Sequence, residues 1–395
     1  MAAYDFIIAG AGAAGLSLAY HLNSAGLHDK RILLLDRAPK TVNDRTWCFW
    51  EAGQSPYEKA VFRQWGRVWF HGEGVSRRLE LSPYRYKMIR GLDFYQHMQR
   101  WLARQPNIDI KYGEIERLED TPEGVTAWQN GQPHRARWAF SSLYKPQPRQ
   151  PQYHYLLQHF KGWVVRTPQP AFDPSAATFM DFRVEQHGDV RFAYVLPFDE
   201  RTALVEYTLF SGELLGQADY DAGLRDYLSQ FCGVREFEIL EAEFGVIPMT
   251  DAPHGLVQSP HVLNIGIAGG RAKASTGYAF KRIQAQSRRI VESLLHTGQP
   301  VYREPAFDRH AWMDSIYLEA LASKRVGGRE FFGGLFRKNP PARVLRFLDE
   351  ETGPLEDLRI MLSVDIPRFT AAALEVGRSR LFTRAGTPRP DRFAS

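Results

Sequence analysis

The start of the chain restricts its fold more than any other stretch. Residues 4–22 read YDFIIAGAGAAGLSLAYHL, and residues 31–36 read RILLLD. The order is an apolar strand, a glycine turn, a small-residue helix and a second apolar strand, which is a βαβ unit. Gly10, Gly12 and Gly15 fit the G-x-G-x-x-G spacing. The first makes the tight turn, the second lets the backbone approach a pyrophosphate, and the third lets helix and strand pack closely. Asp36 ends the second strand about twenty residues on, where a carboxylate can accept hydrogen bonds from ribose hydroxyls. A merely structural glycine turn needs neither the flanking strands nor the acid, so the unit predicts a Rossmann-type dinucleotide-binding domain in an α/β protein.

The same stretch bears on compartment. Phe6–Leu22 carries no charge and sits near the N-terminus. However, Asp5 flanks it, no basic segment precedes it, and three glycines disfavour a continuous helix, so it reads as strand–turn–helix rather than as a signal or spanning segment. No other uncharged apolar run reaches spanning length. Cys48 and Cys232 are the only cysteines, and the 12 histidines form no HExxH or close pair. This suits a reducing cytoplasm and predicts neither a disulfide framework nor a metal site. The net charge is +5, and the whole excess falls from Leu321 onward. Such a skew is a solvated face or a surface that attracts anions; no nucleic-acid-binding signature accompanies it.

Further along, the grammar changes. ATFMDFRV (177–184), RFAYVLPF (191–198) and TALVEYTLF (202–210) are short, aromatic and β-branched, and joined by turn-like QHGD and DER. They predict an antiparallel sheet inserted between Rossmann pieces. In the third strand, Leu204, Glu206, Thr208 and Phe210 share one face and Ala203, Val205, Tyr207 and Leu209 the other. At 262–280, VLNIGIAGGRAKASTGYAF repeats the opening pattern, with Gly266, Gly269 and Gly270 ahead of a helix expected near Ser275. Two such junctions separated by a sheet predict a two-domain FAD protein. The expected organisation is a first Rossmann part over 1–150, a substrate-binding sheet over 151–250, a second Rossmann part over 251–300, and a helical, basic region over 301–395.

Seven segments in order along nearly the whole chain, NDRTWCFW (43–50), LLQHFKGWVV (156–165), MDFRV (180–184), LVEYT (204–208), IPMTD (247–251), IAGGRAKASTGYAF (267–280) and FLDEET (347–352), resemble the bacterial lycopene cyclases. The resemblance implies a glutathione-reductase-like flavoprotein that binds FAD and works with it reduced by NAD(P)H. It implies closure of β-rings on the acyclic ends of lycopene, through monocyclic γ-carotene to β-carotene, without net redox change. It also implies a bacterial cytoplasmic enzyme held peripherally at the inner membrane, taking acyclic or monocyclic carotenoids. A flavin monooxygenase or dehydrogenase acting on another apolar substrate shares both glycine junctions and is the competing reading.

The resemblance assigns roles. FAD is expected across Gly10, Gly12, Gly15 and Asp36, with Gly266, Gly269 and Gly270 closing over the ring and Arg45 reaching it. Many related flavoproteins have Asp after the first glycine of the second junction, where this chain has Ile267. Trp47, Phe49 and Trp50 either line the flavin end of a polyene tunnel or plug a core beneath the loop. Protonating an isolated alkene requires an acid kept neutral, which an apolar setting provides. Plant-type cyclases carry a FLEET motif whose first glutamate is essential; Glu206 of LVEYT matches it, and Tyr207 replaces the second glutamate. Glu350 and Glu351 in FLDEET are the rivals, reading as a solvated helix face, and Glu200 lies in an exposed turn. For the membrane, Arg337, Lys338, Arg343 and Arg346 among Phe331, Phe332, Leu335, Phe336, Val344, Leu345 and Phe347 form either an inserting face or core helices with snorkelling arginines.

Overall fold

The computed structural model describes residues 4–384. At its base, β1 (Tyr4–Ala9) and β2 (Ile32–Asp36) are near-continuous apolar runs, and β2 is buried throughout, as expected of parallel strands covered on both faces. Helix α1 (Ala13–Ser24) joins them. The parallel sheet extends through β8 (Ile108–Tyr112) beyond β2, and through β11 (Gln132–Ser141) and β18 (Val262–Asn264) beyond β1. Short β17 (Val257–Ser259) lies antiparallel on that edge, while β9 (Ile115–Thr121) and β10 (Gly124–Gln129) form an antiparallel flap on β11.

A second sheet of seven strands stands beside it. Its order is β16 (Glu238–Thr250), β12 (Tyr155–Arg166), β15 (Thr202–Ser211), β14 (Val190–Pro197), β13 (Ala177–Asp181), β5 (Arg67–Gly72) and β6 (Val75–Glu80). All pairs are antiparallel except β13 with β5. The sheet therefore draws two strands from within the first 150 residues, so the expected segments interleave. The alternation along β15 sorts its two faces. Ala203, Val205, Tyr207 and Leu209 pack with α3 (Gln217–Phe231), and Leu204 and Phe210 join the main core on the opposite side.

A small third sheet holds β3 (Thr46–Glu51), β7 (Arg85–Arg90) and β4 (Arg63–Trp65), followed by α2 (Gly91–Leu102). NDRTWCFW is thus mainly strand, not loop. Two departures from expectation follow in the C-terminal half. The helix expected near Ser275 begins at Phe280, as α4 (Phe280–Thr297). Before it, Gly277 takes a φ of +71°, a left-handed backbone that closes a turn with the Lys273 carbonyl and cannot continue as a right-handed helix. The basic region forms α5 (Arg309–Ala322), α6 (Gly328–Lys338), α7 (Pro341–Leu348), α8 (Pro354–Met361) and α9 (Ile366–Arg384). Phe332, Leu335, Phe336, Val344 and Leu345 are buried in the main core beneath the second sheet, so α6 and α7 turn their apolar faces inward and not toward a membrane.

Candidate active site

The first glycine turn is built as a cradle. A β-carbon on Gly15 would lie 2.0 Å from the Gly10 carbonyl oxygen, so α1 sits on its strand at a distance only glycine permits. A β-carbon on Gly12, the residue capping α1, would meet nothing within 4 Å. Gly12 offers no capping side chain, which leaves the first-turn N–H groups aimed into that open space. Asp36 stands beside this turn, and its carboxylate accepts from the Ala11 N–H at 2.7 Å and the Arg37 N–H at 2.6 Å. The second junction packs on the first. Gly266 lies against Ala14 in the first turn of α1, and Gly269 and Gly270 continue the turn that follows it.

From there a cavity of about 300 Å³ runs toward the second sheet. Ile267, Thr276 and Gly277 line it on the junction side, Arg45, Thr46 and Trp47 on the β3 side, and Glu206 and Glu243 on the sheet. The Gln158 side-chain oxygen and the Thr276 hydroxyl are buried without a hydrogen-bond partner, and both residues line this cavity. An uncapped helix N-terminus at Gly12, and a cavity reached by Ile267 of the second junction that carries orphaned polar atoms, fit the demands of a dinucleotide. Among the described residues no group of three or more His, Cys, Asp or Glu could hold a metal ion.

The two carboxyl groups owe their meeting to strand register. Glu243 on β16 is opposite Gly162 on β12, and Gly162 is opposite Glu206 on β15. Strands lie about 4.8 Å apart, so the two glutamate backbones are separated by roughly 10 Å with a residue between them. Because that residue is glycine, the two side chains lean together over it. Glu206 Oε1 accepts from the Thr208 hydroxyl at 2.6 Å, and Glu243 Oε2 accepts from the Thr46 hydroxyl at 3.0 Å. Burial and the charge of Glu243 push Glu206 up from the ordinary 4.5 to about 8. Burial likewise raises Glu243, against the Thr46 hydrogen bond and the charge of Arg45. Burial also pushes up the nearby Cys48 thiol and Tyr278 phenol, so both stay neutral in the cavity wall.

The aromatic trio divides. Trp47 lines the carboxylate cavity and packs edge-on against Phe94 and Tyr95. Phe49 stacks on Phe280 at 4.8 Å in the core under α1. Trp50 is almost fully buried, donating its indole N–H to the Leu345 carbonyl at 3.1 Å. Arg45 is half-exposed at the cavity mouth, beside Asp44.

FLDEET is not a solvated helix face. Asp349, Glu350 and Glu351 follow α7 in irregular backbone and meet a basic cluster. Lys273, almost wholly buried, bridges Asp314 and Glu350 at 2.9 Å each, Arg282 also pairs with Glu350, and Lys281 pairs with Asp349 and Glu351. Burial opposes ionisation of Glu350, but Lys273 and Arg282 outweigh it and hold the carboxyl down to about 2. Glu350 is therefore a fixed anion. Glu200 is exposed in its turn.

Glu243 is the site residue that the sequence reading missed. Two local signals could mark the strands involved, a glycine inside FKGWVV that allows a close approach and acids two residues apart in EAEFGVI ahead of a proline, but neither pairs Glu243 with Glu206.

Residues 5–376 match the family described as lycopene cyclase protein. The lycopene beta-cyclase of Pantoea ananas is 26% identical over 400 residues, covering 98% of this chain and 95% of the relative. A chloroplastic neoxanthin synthase of Solanum tuberosum is 23% identical, covering 74% of this chain and 61% of that protein. In fold, the chain resembles a geranylgeranyl bacteriochlorophyll reductase-like protein from Thermoplasma acidophilum, with a TM-score of 0.66, 11% identity and coverage of 95% and 99% of the two chains. It also resembles a flavoprotein/dehydrogenase from Cytophaga hutchinsonii, with a TM-score of 0.63, 13% identity and the same coverage. The fold is thus the Rossmann-type α/β fold found among flavoproteins, and the chain belongs to the lycopene cyclase family.

Proposed function

We propose that this chain is a lycopene beta-cyclase that closes β-rings on acyclic carotenoid ends by proton transfer from Glu206. The observation that carries the reading is a buried carboxyl, its pKa pushed up by burial and by Glu243, on the wall of an aromatic-sided cavity that the second glycine junction also lines. Glu206 delivers a proton to the terminal alkene and leaves a tertiary cation; the next alkene closes the ring on that cation, and loss of a ring proton restores a double bond. Atoms balance, since one proton enters and one leaves. Trp47, Tyr194, Tyr278 and Phe280 line the cavity, where they exclude water and their rings can stabilise the cation. FAD, held at Gly10, Gly12, Gly15, Asp36 and the turn Gly266–Gly270 and reduced by NAD(P)H, would supply an electron-rich ring beside the developing charge.

The substrate lives in a bilayer, and no helix among the described residues is long and apolar enough to cross a membrane. Surface contact is then required, and α8 with the start of α9 offers it. Leu355, Leu358, Met361, Leu362 and Ile366 are all exposed there, with Leu355 at 76%. Behind them an apolar cavity of about 300 Å³ runs inward past Phe331 and Phe332 to Thr276, which also lines the carboxylate cavity. The shared Thr276 wall supports a route from a membrane surface toward Glu206.

The test is expression in cells that accumulate lycopene. Wild type should convert the pigment to β-carotene, and Glu206→Gln should leave it as lycopene. Conversion by Glu206→Gln would remove Glu206 as the acid.

A further inference from the structure

Glu206 alone does not account for the site, because a second carboxyl is built toward it. We propose that Glu243 is a positioning residue which holds one proton in common with Glu206, so that Glu206 keeps the proton while Glu243 carries the charge. This rests on the cyclase reading and extends it to a residue outside the LVEYT segment.

Three observations carry the pairing. First, Glu243, Gly162 and Glu206 are in register across three adjacent strands, and Gly162 leaves the space between the acids empty of side chain. A β-carbon there would come within 3.0 Å of Leu204 Cδ1, 3.1 Å of Glu243 Cγ and 3.2 Å of its Oε1, so glycine gives the carboxyl room to lie across β12. Second, Glu243 Oε1 is buried without a hydrogen-bond partner, while its other oxygen is held by Thr46. A carboxyl anchored at one oxygen with the other left bare is poised to receive a proton. Third, both acids line one cavity.

The titratable and charged groups facing this pair are Asp44 and Arg45 ahead of β3, Cys48 on β3, Tyr86 on β7, Tyr194 on β14, Glu241 on β16 and Tyr278. Arg45 is the only cation among them, and its charge acts on Glu243 rather than Glu206. The Thr46 hydroxyl and Arg45 favour the charge on Glu243 against its burial and the charges of Glu241 and Asp44, and no cation does the same for Glu206, so the negative charge falls on Glu243. Two like charges so close strongly disfavour each other in an apolar setting, so at rest ionised Glu243 keeps Glu206 protonated. When Glu206 has given its proton to the alkene carbon, the pair is doubly charged and strongly basic. It then takes back the proton released by the ring carbon as that C–H pair becomes the new double bond. No external acid or base is consumed.

The experiment follows protonated carboxyl by infrared difference spectroscopy across pH, alongside cyclisation rate, in the flavin-loaded full chain with lycopene in vesicles. In wild type one protonated carboxyl persists through neutrality, and it is absent in Glu206→Gln. In Glu243→Gln the carboxyl of Glu206 should ionise at a pH lower by on the order of one unit, the scale at which two acids titrate as a pair. The alkaline fall in rate should move with it, and Glu243→Asp should restore part of the shift. If Glu243→Gln does not accumulate as folded protein, Gly162→Ala displaces the Glu243 carboxyl and should shift the profile in the same direction. An unshifted profile with a uniformly scaled rate would overturn the pairing while leaving Glu206 as the acid. A wild type that shows the shared proton yet never cyclises lycopene would instead overturn the cyclase reading.

Discussion

Glu206→Gln should abolish cyclisation and also stabilise the protein, by an amount that grows with pH. The folded state holds the Glu206 carboxyl near 8 against an ordinary 4.5, so between those values it binds more protons than the unfolded chain. Stability from this group is therefore intact below pH 4.5 and declines as pH rises through 8. At about 1.4 kcal/mol per pKa unit, and with part of the shift belonging to the charge of Glu243, the cost above pH 8 is on the order of 3 kcal/mol. The amide cannot ionise and escapes it. Thermal unfolding at pH 5, 7 and 9, at matched flavin occupancy, should show little difference from wild type at pH 5 and a widening gain at pH 7 and 9. A variant equally or less stable than wild type at pH 9 would mean that Glu206 is an ordinary ionised carboxylate, and the reasoning would fail.

Three further outcomes follow from the geometry. Gly12→Val places its side chain in the open space over α1 without a backbone clash, so the protein should fold with near-native thermal stability yet purify without yellow cofactor; full flavin absorbance would show that the pyrophosphate lies elsewhere. Lys273→Met leaves buried Asp314 without its cation beside Glu350, which keeps Arg282, and should cost about 3–5 kcal/mol in denaturant unfolding, whereas a loss under 1 kcal/mol would mean that the cluster is solvated. Leu358→Glu with Leu362→Glu should weaken co-sedimentation with anionic vesicles more than reversing Arg337 and Lys338 to Glu, with flavin content unchanged in both; the opposite order would return the contact to α6.

Much of this was legible in the sequence because it depended on short-range rules. The glycine turn and β2 follow from spacing and an apolar run, and the face of Glu206 follows from the two-residue period of β15. What was hidden was set by chain segments far apart. Glu243 reaches Glu206 only because β12 lies between β16 and β15 with a glycine in register, a relation across 80 residues of sequence that no local pattern encodes. FLDEET read as solvent-facing because three acids adjoin, but Lys273, Lys281 and Arg282 arrive from the second glycine junction to neutralise them. The aromatic faces of α6 and α7 look inserting in isolation, and only the second sheet above them decides that they are core. Helix α4 starts late because the turn at Gly277 brings the junction against Gln158 on β12.

The central claim is acid-initiated cyclisation without net redox change, and reductant stoichiometry tests it most directly. Purified protein with FAD would be reduced by NAD(P)H without oxygen and given lycopene in vesicles, with product and NAD(P)H both quantified. The account predicts many β-carotene molecules, with γ-carotene appearing first, per NAD(P)H consumed. Consumption of one NAD(P)H per product, or a product oxygenated or altered in hydrogen count, would contradict it and place the chain among redox flavoenzymes.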